Sequence, residues 1–223
     1  MLIVEELHML VLRPDGRVES SVSVHRQYGE IAAVIVDLAF HGRVTITDEK
    51  NPTVHVVSAA PTGHPILDRT LERLAPLNGR RLQSLVMRAK LDPLDVVVES
   101  LVVQRVLVHG ERGFFGWGSA RTPESDPGPE RVLRSRLAAV LAGTAAPSGA
   151  DLTLLAILQG LNAAHAILRD ESGAVSARDL KRRIEQLVSG SAAGGAVSRA
   201  VDTAIAAALM TVLTPVVVAT TAG

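Results

Sequence analysis

The chain contains no cysteine, which excludes disulfides, thiolate nucleophiles and cysteine-ligated metal. It is also poor in aromatic residues: Tyr28, Phe40, Phe114, Phe115 and Trp117 are the whole complement. Ala, Val and Leu must therefore fill the core, a usage that favours close-packed helices over a sandwich. Net charge is lacking too, because 23 Lys and Arg balance 23 Asp and Glu. No global field draws the molecule to nucleic acid or to an anionic membrane, so any such contact has to come from a local patch. The opening MLIVEELHML carries Glu5 and Glu6 with no leading base, which does not fit a secretory signal, and a reducing, cytoplasmic compartment is expected.

Catalytic signatures are missing as well. No glycine-rich loop ends in Gly-Lys-Ser or Gly-Lys-Thr, and Gly116-Trp117-Gly118-Ser119-Ala120 lacks the spacing of a nucleophile elbow. The seven histidines are scattered, none beside another histidine or a carboxylate at a metal-binding spacing. Glu5 and Glu6 are adjacent, so on a helix their side chains diverge. The expectation is a protein with no catalytic residues, no metal site and no cofactor.

What is present is helical periodicity. The length of 223 residues suits a single domain, 1–223, with a loose tail at 214–223. A helix is expected over 2–12, ending before the turn Pro14-Asp15-Gly16, and another from about Val24 to His41, with Gly42 at its C-terminal cap. Val44–Thr47 and Val54–Val57 read as a hairpin around the turn from Asp48 to Pro52. Helices follow after Ile66, over 79–90, and from Pro93 to about Gln104, although the run Val96-Val97-Val98 also suits a strand. VLVHGERGFFGWG reads as a second hairpin. Four more helices are expected, at roughly 130–142, 150–169, 176–189 and 196–213, with GSAAGG (190–195) as a joint. The uncharged end of the chain contains Pro215 and is only mildly apolar, so a buried final helix with a loose tail is expected there rather than a membrane span.

Two stretches invite a functional reading. AAPTGHPILDRTLERL (59–74) has turn chemistry followed by apolar residues at helical spacing. Either backbone N–H groups at its helix start cradle an anion, or Thr62 caps the helix while Pro61, Gly63 and Pro65 fix the bend. In the second stretch, Phe114, Phe115 and Trp117 fall within four residues on the second hairpin, with Arg112 beside them. They either dock on the core or form an exposed apolar tip for a membrane interface or a partner protein.

Several segments together resemble the Golgi phosphoprotein family, and in particular its bacterial branch. They are LIVEELHMLVL (2–12), VDLAFHGRV (36–44), APTGHPILDRTLERL (60–74), LVVQRVL (101–107) and LLAILQGLNAAHAIL (154–168). The resemblance implies a mostly α fold, a single-domain helical bundle with surrounding helices and one or two short β-hairpins, one of them protruding and apolar. It implies a non-enzymatic, peripheral, adaptor-like protein at the cytoplasmic face of a membrane. Eukaryotic members bind phosphatidylinositol 4-phosphate. Their head-group site uses a Trp and an Arg around the second helix and two Arg before the hairpin. Those positions align here with Val22 and Ile31, and with Leu91 and Leu94, none of which binds phosphate. The family's acid after Pro-Thr-Gly is replaced by His64. Arg26, Arg88 and Lys90 lie close by in sequence as substitute head-group ligands.

Three functions follow as expectations: a peripheral adaptor binding anionic phospholipid, a protein-binding scaffold self-associating through residues 105–118, and a winged-helix DNA reader. The last would use LDPLDVVVESLVVQ (91–104) as its recognition helix. With three acids and no base, that surface repels phosphates, and no nucleic-acid partner is expected.

Overall fold

The structure is a computed structural model that describes residues 1–47, 51–110, 121–173 and 175–190. At its centre is helix α1 (Ile3–Val11), every residue of which is buried. The sequence IVEELHMLV explains this, because its apolar residues leave no continuous solvent face. The same burial forces Glu5, Glu6 and His8 to find partners. Ser100 and Gln104 each donate to Glu5 Oε1 at 2.7 Å. Arg136 donates to both oxygens of Glu6, at 3.1 and 2.7 Å. His8 Nδ1 lies 2.7 Å from Glu30 Oε1.

Helix α2 (Arg26–Phe40) packs along α1. Asp37 on α2 accepts the N–H of Ile3 at 2.9 Å and of Val4 at 3.0 Å, so donors that α1 leaves unpaired are capped from the neighbouring helix. Helix α7 (Gly149–Gly160) comes close to α2 at Gly29, where a Cβ would lie 2.7 Å from Leu161 Cδ1 and 3.1 Å from Ile157 Cγ2. Gly42, with φ +65°, follows the end of α2 where the sequence places a cap.

Strands β1 (Val44–Ile46) and β2 (Thr53–Val56) pair antiparallel, with Val44 opposite Val56 and Ile46 opposite Val54. Val44, Ile46 and Val54 are buried while Thr45 and His55 are exposed, the alternation of a half-buried sheet. Across the expected helix at 79–90 the structure differs. Gly79 donates to the Val54 carbonyl and Leu82 to that of Pro52, each at 2.8 Å. Arg80–Arg81 thereby becomes strand β3 on the far side of β2. Helix α4 is left with only Leu82–Val86, and a 3₁₀ turn follows at Ala89–Leu91.

Helix α3 (Pro65–Leu74) buries Ile66, Leu67, Leu71 and Leu74, the periodic set of the sequence. The valine run is helical, within α5 (Leu94–Val103). Helix α6 (Gly128–Ala142) ends at Gly143 with φ +74°. Ser148 and Asp151 form a capping box at the start of α7: Ser148 Oγ accepts the Asp151 N–H at 3.1 Å and Asp151 Oδ2 accepts the Ser148 N–H at 2.9 Å. The helix expected over 150–169 is divided. Asn162 adopts φ +56°, and α8 (Ala164–Ile167) restarts beyond it. Helix α9 (Ala177–Gly190) buries Leu180 and Ile184.

The first arm of the expected second hairpin pairs with residues beyond its expected end: Val108 donates to the Pro123 carbonyl at 3.0 Å and Gly110 to that of Arg121 at 2.9 Å. The remainder of the expected hairpin, with Arg112, Phe114, Phe115 and Trp117, lies outside the described residues. So do the turn at 48–50, most of the GSAAGG joint, the helix expected at 196–213 and the tail. The fold is mostly α with a small three-stranded antiparallel sheet of order β1-β2-β3. One hydrophobic cluster joins side chains from α1 through α9. Among the described residues, no helix is long and apolar enough to cross a membrane.

Asp37 makes the fold sensitive to pH. Burial is the largest influence on its carboxyl and raises its pKa to about 7, against 3.8 as a free side chain, although the two N–H bonds oppose the rise. The native state thus holds a proton that the unfolded chain releases. The resulting stability is complete below about pH 4 and is lost as the pH climbs through about 7. Thermal unfolding of the wild type should show this decline, and Asp37→Asn should flatten it. An unchanged slope in the variant would assign the titration to another group.

Candidate functional site

A surface cleft of about 610 Å³ opens between the end of α3, the 3₁₀ turn at Ala89–Leu91 and the start of α5. Arg73, Ala89, Lys90, Asp92, Leu94 and Asp95 line it. Local sequence builds its floor. Asp92 precedes Pro93, and its Oδ1 accepts the Leu94 N–H at 3.1 Å, which ties the side chain to the first turn of α5. Arg73, in the last turn of α3, donates to the Asp92 carbonyl at 3.0 Å and lies 3.6 Å from the Asp95 carboxylate.

Beneath the floor runs a polar chain. Arg26 donates to Asp92 through Nη2 at 2.9 Å and through Nη1 at 3.4 Å. Arg26 Nη1 also donates to Glu30, one helical turn along α2. Glu30 in turn meets His8. The Arg26 side chain is 11% exposed, and Glu30 and His8 are 0% and 1% exposed. Burial alone would weaken the Arg26 charge, but Glu30 and Asp92 outweigh it and hold its pKa above the ordinary arginine value. His8 Nε2 has no partner. His8 reads as isolated in the sequence, yet it forms one end of this buried relay.

The three head-group candidates therefore differ. Arg26 sits under the cleft, committed to two carboxylates. Lys90 is exposed in the cleft wall. Arg88 is exposed at the start of the same 3₁₀ turn and is not among the cleft's lining residues. Among the described residues, neither Arg88 nor Lys90 has an ion-pair partner within 4 Å. Val22, Ile31 and Leu91 are buried, whereas Leu94 is half-buried and lines the cleft. Arg73 and Asp92 went unnoticed in the sequence, where nothing signals that α3 and α5 bring them together.

At the start of α3 the structure decides between the two readings of Pro61–Pro65. Asp68 Oδ1 accepts the Thr62 N–H at 2.5 Å and the Thr62 hydroxyl at 2.7 Å, and Oδ2 accepts the Gly63 N–H at 3.2 Å. These bonds, led by the Thr62 hydroxyl, hold the Asp68 pKa below its usual value. The loop's donors are thus taken by a carboxylate of the same chain. Thr62 does not cap in the strict sense, because His64 occupies the N-cap position, and the Thr62 hydroxyl instead accepts the His64 N–H at 3.1 Å.

The surface cleft of this helical bundle sets basic side chains beside carboxylates. The sequence model of the family described as Golgi phosphoprotein 3 (GPP34) matches residues 3–207, and the chain belongs to that family. The family is of adaptor type and non-enzymatic. A comparison with curated proteins found no match.

The relay predicts a division of labour among the cations. Arg26→Ala strips Glu30 of its guanidinium partner inside the bundle and should cost about 3–5 kcal/mol of stability. Arg88→Ala and Lys90→Ala should each stay within about 0.5 kcal/mol of the wild type. Urea unfolding of the three variants measures both, and equal losses would remove the distinction.

Proposed function

We propose that the protein is a non-enzymatic peripheral adaptor that docks on anionic phospholipid, with the cleft between α3 and α5 facing the head groups. The observation that carries this reading is the cleft itself, where Lys90 stands exposed above a floor whose other cations are already paired. In this reading Lys90 and Arg88 meet phosphate, while Arg26 fixes the floor through Asp92. Arg112, Phe114, Phe115 and Trp117 supply the apolar part of the contact, either in the membrane interface or against a second copy of the chain. That part rests on the clustering of aromatic residues in the sequence and on the pairing of Val108 and Gly110 with Pro123 and Arg121 on either side of them. Family membership supports an adaptor role. Residues 1–223 act as one domain in this proposal.

Flotation with phosphatidylcholine vesicles, alone or mixed with an equal part of phosphatidylinositol 4-phosphate or phosphatidylglycerol, tests it. The protein should float only with the anionic mixtures. Each basic residue near an anionic surface contributes about 1 kcal/mol, so Arg88→Gln with Lys90→Gln should weaken binding roughly thirtyfold. Absence of flotation at low salt, together with dimers that Trp117→Ser dissociates, would replace this reading with the self-associating scaffold.

A further inference from the structure

Equal numbers of acids and bases conceal an uneven distribution. From Arg73 to Leu91 the chain carries Arg73, Arg80, Arg81, Arg88 and Lys90 and not one acid. The remainder is acidic to the same extent. The fold leaves most of this run's polar side chains exposed. Leu82, Leu85, Val86 and Leu91 are buried, and they anchor the segment to the core. Their neighbours Arg80, Arg81, Gln83, Ser84, Met87, Arg88 and Lys90 are all exposed. Arg73 is occupied by Asp92 and Asp95, but among the described residues Arg80, Arg81, Arg88 and Lys90 have no ion-pair partner within 4 Å. Met87, half exposed at the end of α4, lies between Arg81 and Arg88 in the chain.

We infer that this ledge, from β3 through α4 to the 3₁₀ turn, is a docking surface for an anionic bilayer and that it extends the contact beyond the cleft to Arg80, Arg81 and Met87. The inference rests on the membrane reading given above. Charge on an edge strand alone would serve to discourage strand pairing. Here, however, the acid-free run continues past β3 into elements that belong to no sheet. Methionine is flexible and apolar, and among cations it reaches the acyl boundary while they remain at the phosphates. That combination favours a bilayer over a purely polar polyanion, which offers nothing for Met87 to enter. Each exposed cation strengthens binding about fivefold, so the four together supply several hundredfold. The attraction is screened by salt within about 10 Å at 0.1 M.

The test compares Arg80→Gln/Arg81→Gln with Arg178→Gln/Arg182→Gln on α9, which removes the same charge from a helix that intersperses acids with its bases. The vesicles contain equal parts of phosphatidylcholine and phosphatidylglycerol, and circular dichroism verifies folding of both variants. The expected result is a roughly thirtyfold loss for the β3 pair and little change for the α9 pair. A further loss in Met87→Ser, persisting at high salt, is expected as well. Wild-type binding that the β3 pair leaves intact, or that both pairs weaken equally, would overturn the ledge while sparing the membrane reading. No vesicle binding by the wild type would overturn both. Salt-sensitive binding to single-stranded RNA, lost in the β3 pair and without vesicle binding, would reassign the ledge to nucleic acid.

Discussion

Everything else in this fold is arranged around a helix that has no exterior. Because α1 is buried on all sides, each of its polar side chains dictates where another helix must lie. Glu5 requires Ser100 and Gln104, which fixes α5. Glu6 requires Arg136, whose Nε also donates to Asp151 at 2.6 Å, so α6 and the start of α7 are placed together. His8 requires Glu30, and the first N–H groups of α1 require Asp37, which sets the register of α2 at two points. Taking such groups out of water is unfavourable, and apolar replacements of similar volume often match them in stability. What they add is specificity, because an alternative packing would leave at least one charge buried without a partner.

This central constraint extends to the surface. The chain from His8 through Glu30 and Arg26 to Asp92 links the buried helix to the floor of the cleft. Its carboxylates consume the Arg26 guanidinium. Arg73 is drawn in as well, by the Asp92 carbonyl and by Asp95. The cations nearest the core therefore maintain the architecture, and in the proposed reading recognition falls to those that have no ion-pair partner among the described residues. The same logic governs the loop before α3, where Asp68 holds the N–H groups of Thr62 and Gly63. An anion position exists there, and the chain fills it itself.

Much of this was legible in the sequence. The 3.6-residue periods located α2, α3 and α9, Gly42 marked the end of α2, and the alternation of Val44–Thr47 with Val54–Val57 marked the hairpin. Strand β3 was not legible, since Arg-Arg has no strand signature and its partner is more than twenty residues away. The division of α7 from α8 had only a weak signal, Gly160 at the end of α7 and Asn162, a residue type that tolerates the left-handed conformation it adopts, within an otherwise apolar run. Pairings such as His8 with Glu30 belong to the tertiary arrangement and have no local pattern. Of the cleft, Lys90 could be picked out as a basic residue, but the environment that separates it from Arg26 could not. Arg73 and Asp92 acquire roles only when α3 and α5 are brought side by side.

Net neutrality is a weak guide to the surfaces of this protein. Potential near a surface decays within about one Debye length, so a partner experiences the charges it faces and not the sum over the chain. The fold sorts those charges by burial. Glu6 on α1 and Glu30 on α2 are drawn inward and paired with Arg136 and Arg26, which removes both signs from the exterior together. Arg80, Arg81, Arg88 and Lys90 lie in a stretch without acids and, among the described residues, stand exposed with no ion-pair partner within 4 Å. A chain with equal acids and bases can in this way present a basic face, and the buried partners required by α1 are part of the reason it does.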